Sequence, residues 1–170
     1  MRERRAAQEA RRAREFEAFV AGAGGRLLHA ATLLTAEAPA DNPRALRLLT
    51  HALAHTYACW DRLHGEDPYN RAREYLATRF AHSSWHRYTA LPLGLGRPLP
   101  AVGPLARLGP QERLVLVLRL YEGVADEQVA ALLGLPVERI RTVCDRATAT
   151  LLHPPRGPAP AVRRARAAAS

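Results

Sequence analysis

Charged and hydroxyl side chains recur on one side of the stretch 137–146. Glu138, Arg141, Thr142 and Asp145 share an outer face with Pro136, and Arg139 and Arg146 flank it. An arginine fork can take guanine O6 and N7 or a phosphate, a threonine can take a phosphate or a thymine methyl, and a carboxylate can accept from a cytosine amine. That is the chemistry of reading a duplex rather than of breaking a bond. Ile140 and Val143 fall on the opposite side, where they would anchor the helix from behind.

A second constellation is His51, His55 and Cys59, at i, i+4 and i+8 on one predicted helix, with His82 and His86 repeating the spacing on the next. These residue types are zinc ligands. They are also common as half-buried or surface residues, and could form a pH-sensitive face. His51 and His55 enclose Ala52, Leu53 and Ala54, so the glutamate of an H-E-x-x-H metalloprotease is missing. No glycine-rich phosphate loop follows a strand, and the glycines at 94 and 96 fall in a linker. No nucleophile has a base near it in sequence. An enzyme is not expected, and neither a cofactor nor a metal is expected.

The elements that must position the first constellation lie in residues 110–152. Asp126 stands where an N-cap belongs, with Glu127 and Gln128 in the first turn facing the helix dipole. Val129, Ala130, Leu132 and Leu133 form an apolar stripe at helical spacing, Gly134 sits at the turn, and Pro136 opens the next helix. A small residue, a turn glycine and an inward isoleucine in register are the pattern of a helix-turn-helix, although two bundle helices with an incidental turn would read alike.

Upstream, residues 1–14 alternate Arg, Glu and Ala, readable as a frayed helix, a disordered basic arm touching phosphates, or a solvated extension. Residues 15–34 are helical in spacing, but Gly22-Ala23-Gly24-Gly25 interrupts them, giving one weakened helix or two short ones. A helix from Pro43 to Arg62 would turn Leu46, Leu49, Leu53, Tyr57 and Trp60 inward. Another, from Tyr69 to about Tyr88, carries Tyr75, Leu76, Phe80 and Trp85. Residues 89–104 are Pro/Gly-rich and read as a tether, and 153–170 as a disordered basic tail. The fold class is therefore all-α: two small helical modules, 15–88 and 105–152, joined by a Pro/Gly-rich tether.

Composition sets the remaining bounds. The chain has 170 residues, a net charge of +9 and no lysine, and a basic surplus favours a polyanionic partner such as nucleic acid. No apolar run approaches the roughly eighteen residues of a membrane span, and no apolar segment follows the charged start, so neither a membrane partner nor a secretory signal is expected. Two cysteines without C-x-x-C spacing suggest a reduced, cytoplasmic protein.

Taken together, these residues resemble the sigma-70 family, in its extracytoplasmic-function class and SigE-like group. The resemblance rests on FEAFV at 16–20, LLHAATLLT at 27–35, ALAHTYACWDRL at 52–63, LGPQERLVLVLRLYEG at 108–123 and ADEQVAALLGLPVERIRTV at 125–143. It implies a sigma factor that binds core RNA polymerase through the first module, melts the −10 element there, and reads the −35 element of promoter DNA with the second. An anti-sigma partner is a further family expectation. The clamp-binding segment, acidic and glutamine-bearing in relatives, is here Arg47, Leu48, Leu49, Thr50 and His51, which puts Arg47, Leu48, Thr50 and His51 in the polymerase-binding positions. Where relatives show Arg-Asn on the melting helix, this chain has Arg79-Phe80. Trp85 and Arg87 stand as DNA-contacting candidates there, with a buried core position the alternative for Trp85. A divergent regulator that binds DNA without normal polymerase engagement is the competing reading.

Overall fold

The computed structural model describes residues 2–89 and 101–153, with the backbone alone for 85–89. Among these residues the fold is all-α, with no strand and one isolated bridge between Ala38 and Asp41.

Helix α1 spans Arg2–Thr35 without a break. Residues 22–25 remain helical despite three glycines, so α1 is one helix rather than two, and the basic stretch before them is helical too. Residues 2–11 are exposed on every side. The helix first meets the body at Arg12. Its guanidinium lies 4.2 Å from the Tyr57 ring centroid, donates to Asp61 Oδ2 at 3.0 Å, and donates to the Tyr57 carbonyl. Phe16 follows one turn later with its ring 4.8 Å from Tyr57 and 5.3 Å, edge-on, from Trp60. Such aromatic contacts bury large areas with a defined geometry. The far end of α1 buries Leu27, Ala30, Ala31 and Leu34.

Helix α2 (Pro43–Ala58) begins at a buried carboxylate. Glu37 accepts from the Arg44 and Ala45 backbone N–H groups at 3.2 and 2.9 Å and from Arg44 Nε at 3.0 Å. These are donors a helix start otherwise leaves unpaired. The inner face of α2 is Ala45, Leu48, Ala52 and Thr56. The expectation that Leu46 and Tyr57 point inward is corrected, since they are 47% and 37% exposed, and Leu49, Leu53 and Trp60 are only half-buried. Alanines on the inner face let α2 approach its neighbours closely, so the bulkier side chains are displaced to the rim.

Helix α3 spans Pro68–Thr89 and buries Ala72, Leu76, Ala77, Phe80 and Ala81. The chain is next described at residue 101, where the Val102 N–H bonds the Ala36 carbonyl at 2.8 Å. Helix α4 (Pro110–Leu116) runs into a π-turn, Val117–Tyr121, then α5 (Asp126–Leu133) and α6 (Val137–Leu152). Buried residues of α1–α3 and of α4–α6 form one continuous cluster, so the two halves pack on each other. Phe80, Ala81 and Ser84 of α3 face Leu114 and Leu133 across a tight crevice.

A polar contact fixes this packing. The Glu122 side chain is 1% exposed, and both its oxygens accept from the Tyr69 hydroxyl at 2.9 Å. Arg26 and Arg73 approach it at 3.4 and 3.9 Å. Burial, with the bond to Glu122 adding to it, raises the Tyr69 pKa well above the ordinary phenol value, so this hydroxyl stays a donor.

Both buried carboxylates can be tested by unfolding. Burial alone would raise the pKa of Glu37, but the donors from Ala45 and Arg44 outweigh it and hold the group below the usual carboxylate range. A depressed folded-state pKa stabilises above the unfolded value and loses that contribution as pH falls through the folded one. Resistance to urea unfolding should therefore fall as pH drops below about 4.3, and Glu37→Gln should flatten that dependence. Glu122→Ala should cost about 2–4 kcal/mol in the same measurement, because it removes the one acceptor of a buried cluster. Arg26→Gln, at a side chain 53% exposed, should cost well under about 1 kcal/mol.

Candidate nucleic-acid interface

The outward face of α6 is set by what lies behind it. Ile140 is fully buried, Val143 is 4% exposed and Ala147 fully buried, and these pack on α4 and α5. Gly134 ends α5 at φ +64, a left-handed conformation that glycine adopts without penalty and that turns the chain sharply into α6. Pro136 lies just before the first helical residue, and the cap of α5 is Ala125 rather than Asp126. Asp126 instead stands in the first turn, where its carboxylate faces the positive end of the helix dipole.

The residues nominated from sequence are brought together on this face. Glu138, Arg139, Arg141, Thr142, Asp145 and Arg146 are all exposed on α6, and α1–α3 do not cover them. Their partners were less visible in the sequence. Arg141 donates to Asp126 Oδ2 at 3.1 Å and to Glu138 Oε1 at 2.7 Å, and approaches Glu127 Oε1 at 3.5 Å. The bond to Asp126 and the charge of Glu138 raise its pKa above the ordinary guanidinium value. Arg119, from the π-turn, pairs with the other Asp126 oxygen and donates to the Val124 carbonyl. Arg146 donates to Glu112 Oε1 at 2.9 and 2.7 Å. The other Glu112 oxygen accepts from the Gly109 N–H at 2.8 Å, so one carboxylate starts α4 and steadies α6. Burial pushes the Glu112 pKa up, but the Gly109 and Arg146 bonds bring it below the usual value. Thr142 bonds the Glu138 carbonyl at 2.8 Å. No ion pair to Arg139 is found among the described residues, so its head is the available cation of this face, while Arg141 and Arg146 are held in place by carboxylates.

The remaining candidates lie elsewhere. Arg47, Thr50 and His51 are exposed along α2, but Leu48 is 8% exposed and belongs to the core, so it is not available to a partner. His55 stacks on Tyr75 at 4.1 Å, with Nε2 3.9 Å from Cys59 Sγ. His51 stands apart as an exposed side chain, and no cluster of three or more His, Cys, Asp or Glu side chains suited to a metal occurs among the described residues. Trp85 and Arg87 fall within the range of α3, and their side chains lie outside the described residues. The tether at 90–100 and the tail beyond 153 lie outside them as well. No described helix is long and apolar enough to cross a membrane.

With a buried inner edge, a left-handed glycine turn and an outward polar face, α5 and α6 have the form of a helix-turn-helix. Residues 105–151 match the family Sigma-70, region 4. The match spans α4–α6 and does not include α1–α3. This unit is thus similar to a non-enzymatic transcription-factor domain, and the likeness indicates a sigma-factor-like DNA-binding role. No curated protein and no solved structure matches the chain.

Ile140→Ala should destabilise the chain by about 2–4 kcal/mol in chemical unfolding, since it empties a fully buried position behind α6. A value near zero would mean that α6 is not anchored as described.

Proposed function

We propose that this chain is a sigma factor of the extracytoplasmic-function type that directs core RNA polymerase to particular promoters. In this reading α6 enters the major groove at the −35 element. Arg139 and Arg141 supply forks for guanine edges or phosphates, Thr142 a small contact, and Glu138 and Asp145 acceptors that discriminate among bases. Arg146 supports the backbone grip. The residues of α1–α3 would engage the polymerase through Arg47, Thr50 and His51 and open the −10 element through α3, where Trp85 and Arg87 would meet the separated strand. The single observation that carries the reading is the exposed outer face of α6 within the region matched to Sigma-70, region 4. An anti-sigma partner and a cytoplasmic site of action accompany the proposal as properties of the family it resembles.

A second reading is a DNA-binding regulator that no longer engages polymerase in the usual way. Helix α2 contains no aspartate or glutamate, and its exposed face offers Arg47 and His51 instead. If the partner surface is basic there, a cation on this face works against association.

Run-off transcription with core polymerase separates the two: promoter-dependent transcripts support the first, and DNA binding without core binding supports the second. Within either, Arg141→Ala should weaken binding to the selected promoter duplex roughly ten- to hundredfold. An unchanged salt-dependent binding curve for that variant would remove Arg141 from the interface.

A further inference from the structure

The helical body of this chain carries no surplus charge. Residues 15–89 hold eight arginines against eight carboxylates, and residues 105–151 hold six against six. The net charge of +9 therefore lies at the two ends of the chain and in the tether. The described part of that surplus is the start of α1, where Arg2, Arg4, Arg5, Arg11, Arg12 and Arg14 stand against Glu3 and Glu9. The helix-turn-helix thus has a face for reading bases but no net attraction for the polyanion that displays them.

We propose that the exposed first three turns of α1 form a sequence-independent docking arm for the phosphate backbone of duplex DNA. The arm is a helix exposed from residue 2 to residue 11, about 15 Å of cationic surface at 1.5 Å per residue. A duplex displays one phosphate charge per about 1.7 Å of axis, so several phosphates lie within its reach. Arg2 and Arg4 have no ion pair among the described residues. The Arg5–Glu9 and Arg11–Glu15 pairs, at 3.3 and 2.7 Å, join side chains 47–85% exposed, and such pairs are readily exchanged for phosphate. Arg12 has a different task. Its contacts with Tyr57 and Asp61, backed by Phe16 on Tyr57 and Trp60, fix the direction in which the arm leaves the body.

The composition of the arm selects among polyanions. Its apolar residues between 2 and 14 are all alanine, so it has no face to sink into a lipid boundary. It has no aromatic residue on which unpaired bases could stack. Cations without an apolar or stacking surface suit a regular phosphate backbone. The proposal does not depend on promoter reading by α6.

The test is fluorescence anisotropy of the full chain with a labelled duplex of random sequence, measured across a salt series. Substituting Arg2→Gln, Arg4→Gln, Arg5→Gln, Arg11→Gln and Arg14→Gln together, with Arg12 kept, should flatten the slope of log affinity against log salt by roughly two or more. Binding near physiological salt should fall at least about tenfold, while circular dichroism stays that of the parent. A second variant, Glu3→Gln with Glu9→Gln, raises the charge of the arm and should steepen the slope, so the proposal is testable even if the first variant misfolds. Unchanged slopes overturn it. A loss confined to RNA, or to vesicles of phosphatidylglycerol, overturns the assignment to duplex DNA. Arg139→Ala with Arg141→Ala should abolish preference for a selected promoter sequence and leave the contribution of the arm in place, which separates failure of the arm from failure of promoter reading.

Discussion

A carboxylate removed from water must find donors, and among the described residues Glu122 finds them in the other half of the chain. Tyr69 and Arg73 come from α3 and Arg26 from α1, while Glu122 itself directly follows the π-turn after α4. The apolar cluster gives the two halves a reason to meet, and this polar contact sets how they meet, because hydrogen bonds have direction and apolar burial does not. The orientation it selects lays α4 and α5 against α3 and turns α6 away from the body. The face nominated for duplex contact is therefore open in the packed chain. Part of α3, the helix assigned to strand opening under the proposed function, is covered in the same arrangement.

Much of the C-terminal half was legible in the sequence. A small residue, a turn glycine and an inward isoleucine each impose a local steric requirement, and all three requirements agree, so the turn and the inner edge of α6 could be read directly. The register of α2 was less accessible. Its large apolar residues suggested one face, but alanines allow the closer approach, and small side chains leave a weak periodic signal. The burial of Leu48 follows from that same shift. The carboxylate partners of Arg141 and Arg146 come from α4, α5 and α6 itself, and contacts such as Glu112 with Arg146 depend on tertiary geometry that spacing along one helix cannot reveal. Two of these partners left a trace: Glu138, three residues before Arg141 on the same helix, and Glu112, three residues after the glycine that precedes α4, the spacing of a helix-start carboxylate.

The electrostatics divide the labour within the molecule. The helical body is neutral in sum and holds many of its charges in pairs, whereas the described part of the surplus lies at the exposed start of α1. On α6 this has a chemical meaning. A carboxylate-bound arginine keeps its planar head in one orientation, which lowers the conformational freedom lost on meeting a base edge, yet the carboxylates also repel the phosphates on either side. A face built this way gains discrimination at the expense of general stickiness.

The glycines of α1 acquire a use in this setting. A methyl group added at Gly22 or Gly25 would touch nothing, so no close approach demands them, and glycine in a helix interior weakens it. They lie between two clamps, Arg12 and Phe16 on one side and Leu27 to Leu34 on the other. A stiff rod fastened at both ends transmits any mismatch from one fastening to the other. Helix propensity is lowest along this span, so any strain between the aromatic clamp and the core would be taken up there before elsewhere in the rod.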